Sequence, residues 1–439
     1  MREAREELLA AATAAVEAAR RAGAKDAWAT AERSRDVTFE VRNGKLEKVE
    51  DSTSRELAIR LFVDGRYSAH STTDLRPDRV AAFVAAGVAI TRALQPDPHR
   101  RLADPARYPR RLPALELEDA RVGKLDRDAR MAWLRAMDER VAGAPKVISA
   151  TSSVFDGTAV VAAASSNGFS QAYETTTVGC GANITLDDGD KRPEDGMFAW
   201  GHHVDAVPPA AGIADEALRL ARARLGMTKG PTRRTTMVVD ARAATSLVGR
   251  LLGPATAASV QQERSFWRGR LGKAAVSKKL SIVDDPLIPR GLGSRPFDGE
   301  GLAAARLPLI EAGALKNLYV DTYYGSKLGM APTSGSGSNR VVALGARGRD
   351  ALVAAAKDGI YVTSWLGGNM DSTTGDFSFG ARGHLIEGGA LGAPCGEMNV
   401  TGNILDLFSR LAEVGNDPWK YSSTLAPTLV FEGVQFSGK

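Results

Sequence analysis

Cysteine is nearly absent. Cys180 and Cys395 are the only two in 439 residues, and neither belongs to a CxxC. That excludes a zinc knuckle and argues against a disulfide framework, so buried thiols in a reducing compartment are expected. Histidine is also scarce, at His70, His99, His202, His203 and His384. None is followed by glutamate, so no HExxH helix motif exists. His202 and His203 adjoin, but strand neighbours point to opposite faces and do not readily share one metal ion. They read as a polar strand end near Trp200. No window approaches 18 continuous apolar residues, so no helical membrane span is expected. No signal-peptide core follows the first residues, which makes cytoplasm the expected location. A long basic run with interleaved aromatics is missing as well. The formal charge of +5 is mild for this length. The pairs Arg100-Arg101, Arg110-Arg111 and Arg233-Arg234 therefore read as solvated surface, and no nucleic-acid partner is expected. There is no GxSxG elbow, and Gly269–Lys273 fails the phosphate-loop spacing.

What is present is a soluble globular composition, 44% apolar and 25% charged, on a chain long enough for two or more domains. Residues 3–22 place Leu8, Leu9, Ala12, Val16 and Ala19 on one helical face. Asn43-Gly44 and Asp64-Gly65 each predict a type I′ hairpin. Helices are predicted from Pro77 and over Asp126–Val141. From Val147 the pattern changes to strands, with turns expected at Asp156-Gly157 and Asn167-Gly168. A helix over 214–226 precedes a polar joint, Thr228–Arg234. The second half reads as mostly β, with helices over Ala243–Leu252 and Leu405–Val414. The expected fold is α+β: a domain of helices on an antiparallel sheet over 1–226, then a β-rich domain over 227–439.

The densest punctuation is Gly291–Gly301, with four glycines, one proline and three charges in eleven residues. Pro296 breaks the Gly291-x-Gly293 fragment of a dinucleotide motif. The acidic pairs Asp284-Asp285 and Asp298/Glu300 are candidates for acid–base work. With no partner group in sight, turn-capping carboxylates are the reading preferred for both.

Residues 280–330, including Gly291, Gly293, Pro296, Phe297, Asp298, Glu300 and Gly301, resemble the TldD/PmbA family. So do Gly375-Asp376, Ile386–Gly389 and Gly415-Asn416-Asp417, and in the first half Val41–Glu47 and Ser71–Leu75. The resemblance spans nearly the whole chain. It implies soluble peptidase complexes, historically called modulators of DNA gyrase. One subunit type there carries zinc on HExxxH with a cysteine near the C-terminus; the other lacks the motif. The matching helix here reads Ala244–Gly253, without either histidine or the glutamate. Ser422 and Ser423 stand where the cysteine belongs, and Cys395 precedes that position. The resemblance therefore implies a TldE/PmbA-like subunit with no catalytic or metal residues of its own. Its expected partner is a TldD-like zinc-bearing subunit, and its expected substrate an unfolded or precursor peptide. The alternatives are a homodimeric peptide-binding scaffold, and a stand-alone metallopeptidase with a site built from His202, His203 or His384.

Overall fold

Asn43 and Gly44 take φ of 48° and 76°, and Asp64 and Gly65 take 49° and 75°. Positive φ at both central positions is the type I′ geometry, which matches the twist of the strands it joins. These turns connect β1 (Asp26–Arg42), β2 (Lys45–Val63) and β3 (Arg66–Thr72). The computed structural model describes residues 2–439, and Met1 lies outside the described residues. Three further strands, β4 (Val147–Ser165), β5 (Ser170–Leu186) and β6 (Glu194–Gly201), complete a six-stranded antiparallel sheet in the order β3-β2-β1-β4-β5-β6. The central strands are long, 17 residues in β1 and 19 in β4, or about 60 Å at ~3.3 Å per residue.

Strand alternation divides this sheet into two faces. On β1, Ala27, Ala29 and Ala31 meet α1 (Arg2–Arg21) and α2 (Pro77–Arg92) in one core. Farther along, Val37, Phe39 and Val41 meet α3 (Arg127–Val141) and α4 (Ala210–Arg222) in a second. Odd positions of an unbulged strand share a face, so all four helices cover one side. Even positions such as Trp28 and Glu40 face the other way, toward the C-terminal half.

That half begins with β7 (Thr228–Lys229) and β8 (Arg233–Val239), followed by α5 (Ala241–Leu252). β8 pairs with Gly359–Trp365 and Leu429–Ser437, and through them with Asp376–Glu387 and Ala390–Asn403. The last two also pair with each other, so the ring of five strands closes. Closure removes the exposed edges of an open sheet. Helix α5 lies against this ring, with Ala244, Leu247, Val248 and Leu251 fully buried. The whole is α+β, as the residue pattern indicated. No helix among the described residues is long and apolar enough to cross a membrane.

Three local expectations fail. Asp156-Gly157 is not a turn, since β4 runs straight through it and pairs Val37 with Asp156 and Asp36 with Gly157. Asp156 is held inside by Arg130, and a Cβ at Gly157 would come within 2.8 Å of an Asp36 carboxylate oxygen. The glycine is there for close approach, not for turning. The apolar runs Leu46–Val49 and Leu57–Val63 mark two separate strand segments in the sequence, but β2 is one strand over Lys45–Val63 whose residues 45–56 are exposed. Leu405–Val414 splits into a short helix, Ile404–Ser409, and a strand, Leu411–Val414, which pairs with the final strand.

Candidate functional site

The glycine-rich stretch 291–301 docks on the helix-free face of the sheet. Phe297 is buried there, with ring centroids 5.0 Å from Phe169 and 5.3 Å from Tyr173. Gly301, at φ 82°, has room for no Cβ: one would stand 2.7 Å from Trp28 and 2.8 Å from Phe169. A Cβ at Gly293 would meet the Ser338 backbone at 2.6 Å. The Gly293 N–H donates to Asn339 Oδ1 at 2.7 Å, and Pro296 is buried. Asp298 Oδ1 accepts the N–H groups of Glu300 and Leu302 at 2.9 and 3.0 Å. Glu300 Oε2 accepts the Thr322 N–H and hydroxyl, both at 2.8 Å. Asp284 accepts from Tyr319 Oη, Ser338 N and Ser338 Oγ at 3.0, 2.6 and 2.7 Å. These acids order the backbone and the hydroxyls of Ser338 and Thr322, both of which are buried.

His202 and His203 follow the end of β6, and their rings diverge. His202 lies between carbonyls, Nδ1 2.7 Å from Thr176 O and Nε2 3.2 Å from Gly291 O. His203 Nε2 is 2.8 Å from Glu116 O. One donor atom each from Asp119, His203 and Asp205 falls within 4.8 Å of the others. However, Asp119 accepts from Arg121 Nε and from the Val204 N–H, and Asp205 is flanked by Arg121 and Arg290 at 3.4 and 3.6 Å. Two guanidinium groups already supply the positive charge a metal would bring. The hydrogen bonds from Arg121 hold the Asp119 carboxyl well below its ordinary range. His384 is a separate matter on Asp376–Glu387, where burial pushes its imidazole down.

The remaining motif residues lie apart from that loop. Gly375 turns at φ 87°, and Asp376 accepts from Asn403 Nδ2 at 3.0 Å. Gly415 and Asn416 tie the chain to Gly345 and Arg347. Asp417 accepts the Thr428 N–H and hydroxyl at 3.1 and 2.7 Å.

A concavity of about 640 Å³ lies between the helix-free face of the sheet and α5. Thr151, Ser153 and Asn183 line the sheet wall, and Arg242, Ser246 and Arg250 the helix wall. These three helix positions are four apart and share one face. Arg242 spans the groove end, donating to Gly196 O at 2.8 Å and to Asp195 Oδ1 at 3.3 Å. Arg224 holds the other Asp195 oxygen, 2.7 Å from its Nε. The Arg250 guanidinium stands 4.2 Å from the ring centroid of Phe379.

Three family models match along the chain: PmbA/TldA metallopeptidase domain 1 over residues 30–91, the central domain over 120–225 and the C-terminal domain over 232–438. A proposed modulator of DNA gyrase from Bacteroides thetaiotaomicron superposes with a TM-score of 0.94, at 35% identity over 98% of both chains. This chain belongs to the PmbA/TldD family. The metalloprotease PmbA of Escherichia coli O157:H7 is 25% identical over 92% of this chain and 90% of its own length. TldE from Thermococcus kodakarensis shares the fold, with a TM-score of 0.87 at 18% identity over 98% of this chain and all of its own.

Metallopeptidases of this family imply zinc, and the α5 groove can be tested for it. Zinc needs three protein donors of His, Cys or carboxylate type with an open position. The groove face of α5 offers arginine, alanine and serine. Across it, Asp195 is committed to two arginines, which leaves Glu40 as the one other carboxylate of the lining, short of three donors. Both cysteines are buried elsewhere, and burial pushes the Cys395 thiol up to about 11 and the Cys180 thiol up to about 12. The groove does not fit the metal.

Arg242, Arg250 and Phe198 went unnoticed in the sequence as site residues. The four-residue spacing of Arg242, Ser246 and Arg250 was the available signal, opposite the apolar face of α5. The sheet wall had none, because its serines and threonines look like any exposed strand face.

Glu300 carries a testable pH dependence. Burial pushes its carboxyl above the ordinary range, Asp298 and Asp321 add to this, and the Thr322 donors oppose it. The folded state therefore holds the proton more tightly than the unfolded chain. Stability is lost as pH rises through the folded pKa. Glu300→Gln keeps an acceptor for Thr322 and removes the charge. Its melting temperature should exceed the parent's at pH 8, and the gain should vanish toward pH 4. A gain independent of pH would show that charge is not the cause.

Proposed function

We propose that this chain is a peptide-binding subunit of a two-subunit zinc metallopeptidase, with the zinc carried by its partner. The observation behind this is the α5 groove: the family scaffold is present throughout, yet the helix that would hold zinc presents Arg242, Ser246 and Arg250. The chemistry left to this chain is binding and orientation. An extended peptide would lie along the free edge of β6, whose Phe198 ring is 47% exposed beside the groove. Strand addition reads the peptide backbone and tolerates many sequences, which suits an unfolded or precursor substrate. The relatives named as metalloproteases support the reaction class.

The test is purification of the chain alone and together with a zinc-bearing family member, with metal analysis of both. The chain alone should carry substoichiometric zinc and leave an unfolded peptide intact. The pair should co-purify and cleave it, and a chelator should stop the cleavage. Hydrolysis by the isolated chain that a chelator abolishes would overturn the proposal.

A further inference from the structure

A second pocket, about 340 Å³, opens on the same helix-free face near the other end of the sheet. Trp28 of β1 lines it, while Glu40 of β1 lines the α5 groove. Twelve residues along a strand separate them by about 40 Å, so the two pockets are distinct. Three arginines border the second one: Arg60 of β2, and Arg100 and Arg101 of the connection after α2. Among the described residues, none of their guanidinium groups makes a hydrogen bond or an ion pair with a carboxylate. Acidic partners are close by. Asp298, Glu300 and Asp321 line the same pocket. Each is already committed: Asp298 to the 300 and 302 N–H groups, Glu300 to Thr322, and Asp321 to the Tyr324 N–H at 2.6 Å.

The arginines are also positioned in advance. The Arg100 guanidinium lies 3.4 Å from the ring centroid of Tyr323 and 4.3 Å from that of Tyr67. Tyr323 is fixed in turn by donating its hydroxyl to Asp97 at 2.8 Å. Cation–π contact with two rings holds the guanidinium in place without using its N–H donors. Arg60 stands against Gly299, where even a Cβ would sit 3.9 Å from its Nη2, so no side chain intervenes. Arg60 and Arg100 are partly buried and Arg101 is exposed at the mouth. A partly buried guanidinium without a hydrogen-bonded partner is costly unless something completes its bonds, and an oxyanion does so bidentately.

We propose that Arg60, Arg100 and Arg101 form a binding site for a small oxyanion, a phosphate or carboxylate group, with the 298–300 turn as its rim. Titration calorimetry on the full chain at constant ionic strength tests this, using inorganic phosphate, pyrophosphate and succinate. Saturable one-site binding by at least one of them is expected. The phosphate and succinate arms tell which oxyanion source the site takes. Arg60→Gln and Arg101→Gln should each weaken binding at least tenfold, while Arg55→Gln, on an exposed part of β2, should leave it unchanged. Gly299→Asp places a carboxylate opposite Arg60 and should compete from within, again at least tenfold, in a chain that still melts cooperatively. Absence of saturable binding by all three anions overturns the proposal. So does equal binding by all the variants, which would mark non-specific charge attraction.

Discussion

Asp156→Ala is expected to destabilise the protein by about 3–5 kcal/mol, because it strands a buried guanidinium. Arg130 of α3 donates Nε and Nη2 to the two Asp156 oxygens of β4 at 2.6 and 2.8 Å. Both side chains are at most 6% exposed. The Phe39 ring centroid lies 5.7 Å from the guanidinium and offers only a weak substitute. Against a typical stability of about 5–15 kcal/mol, such a loss is a large fraction of the total. Urea unfolding of Asp156→Ala, Arg130→Leu and the double variant measures it as a cycle. The double variant should recover most of the loss, since it leaves no uncompensated charge. Single variants costing under about 1 kcal/mol would mean that water reaches the pair.

Ser246→Trp should lower peptide binding and cleavage by the assembled pair at least tenfold, which corresponds to about 1.4 kcal/mol. Ser246 is exposed on the groove face of α5, between Arg242 and Arg250, and its side chain makes no hydrogen bond among the described residues. An indole there fills the space that the proposed function assigns to the peptide, without touching the buried face of the helix. Stability should therefore change by no more than about 0.5 kcal/mol. Fluorescence anisotropy of a labelled unfolded peptide reads the affinity, and thermal unfolding reads the fold. Undiminished binding by a correctly assembled variant would move the peptide away from this groove, leaving the exposed edge of β2 as the alternative.

The motif residues illustrate how far local pattern carries. Gly291–Gly301 was visible as a structured loop from its glycines. Why each glycine is needed was not visible, because the atoms excluding a Cβ at Gly293 and Gly301 come from Ser338, Trp28 and Phe169. Those residues are distant in the chain. Asp156-Gly157 shows the converse. A local turn signal was overridden by a buried partner on a helix some twenty-six residues earlier and by a neighbouring strand.

The sequence by itself determined the α+β class, the type I′ hairpins at Asn43-Gly44 and Asp64-Gly65, the first three helices, the family and the absence of HExxxH, while the helix expected over 214–226 lies four residues earlier at Ala210–Arg222. The class, hairpins and helices rest on residue spacing and turn chemistry, and the family on the resemblance of short motifs, all of them properties of short segments. Only the tertiary structure decided that one sixty-ångström sheet carries two helical cores on one face and the closed strand ring on the other. It alone placed Arg242 and Arg250 across a groove from Asn183, and Arg60 in one pocket with Arg100 and its two tyrosines. These are meetings of side chains separated by tens to hundreds of residues, set by strand register and by which face an alternating residue presents, and no local spacing encodes them.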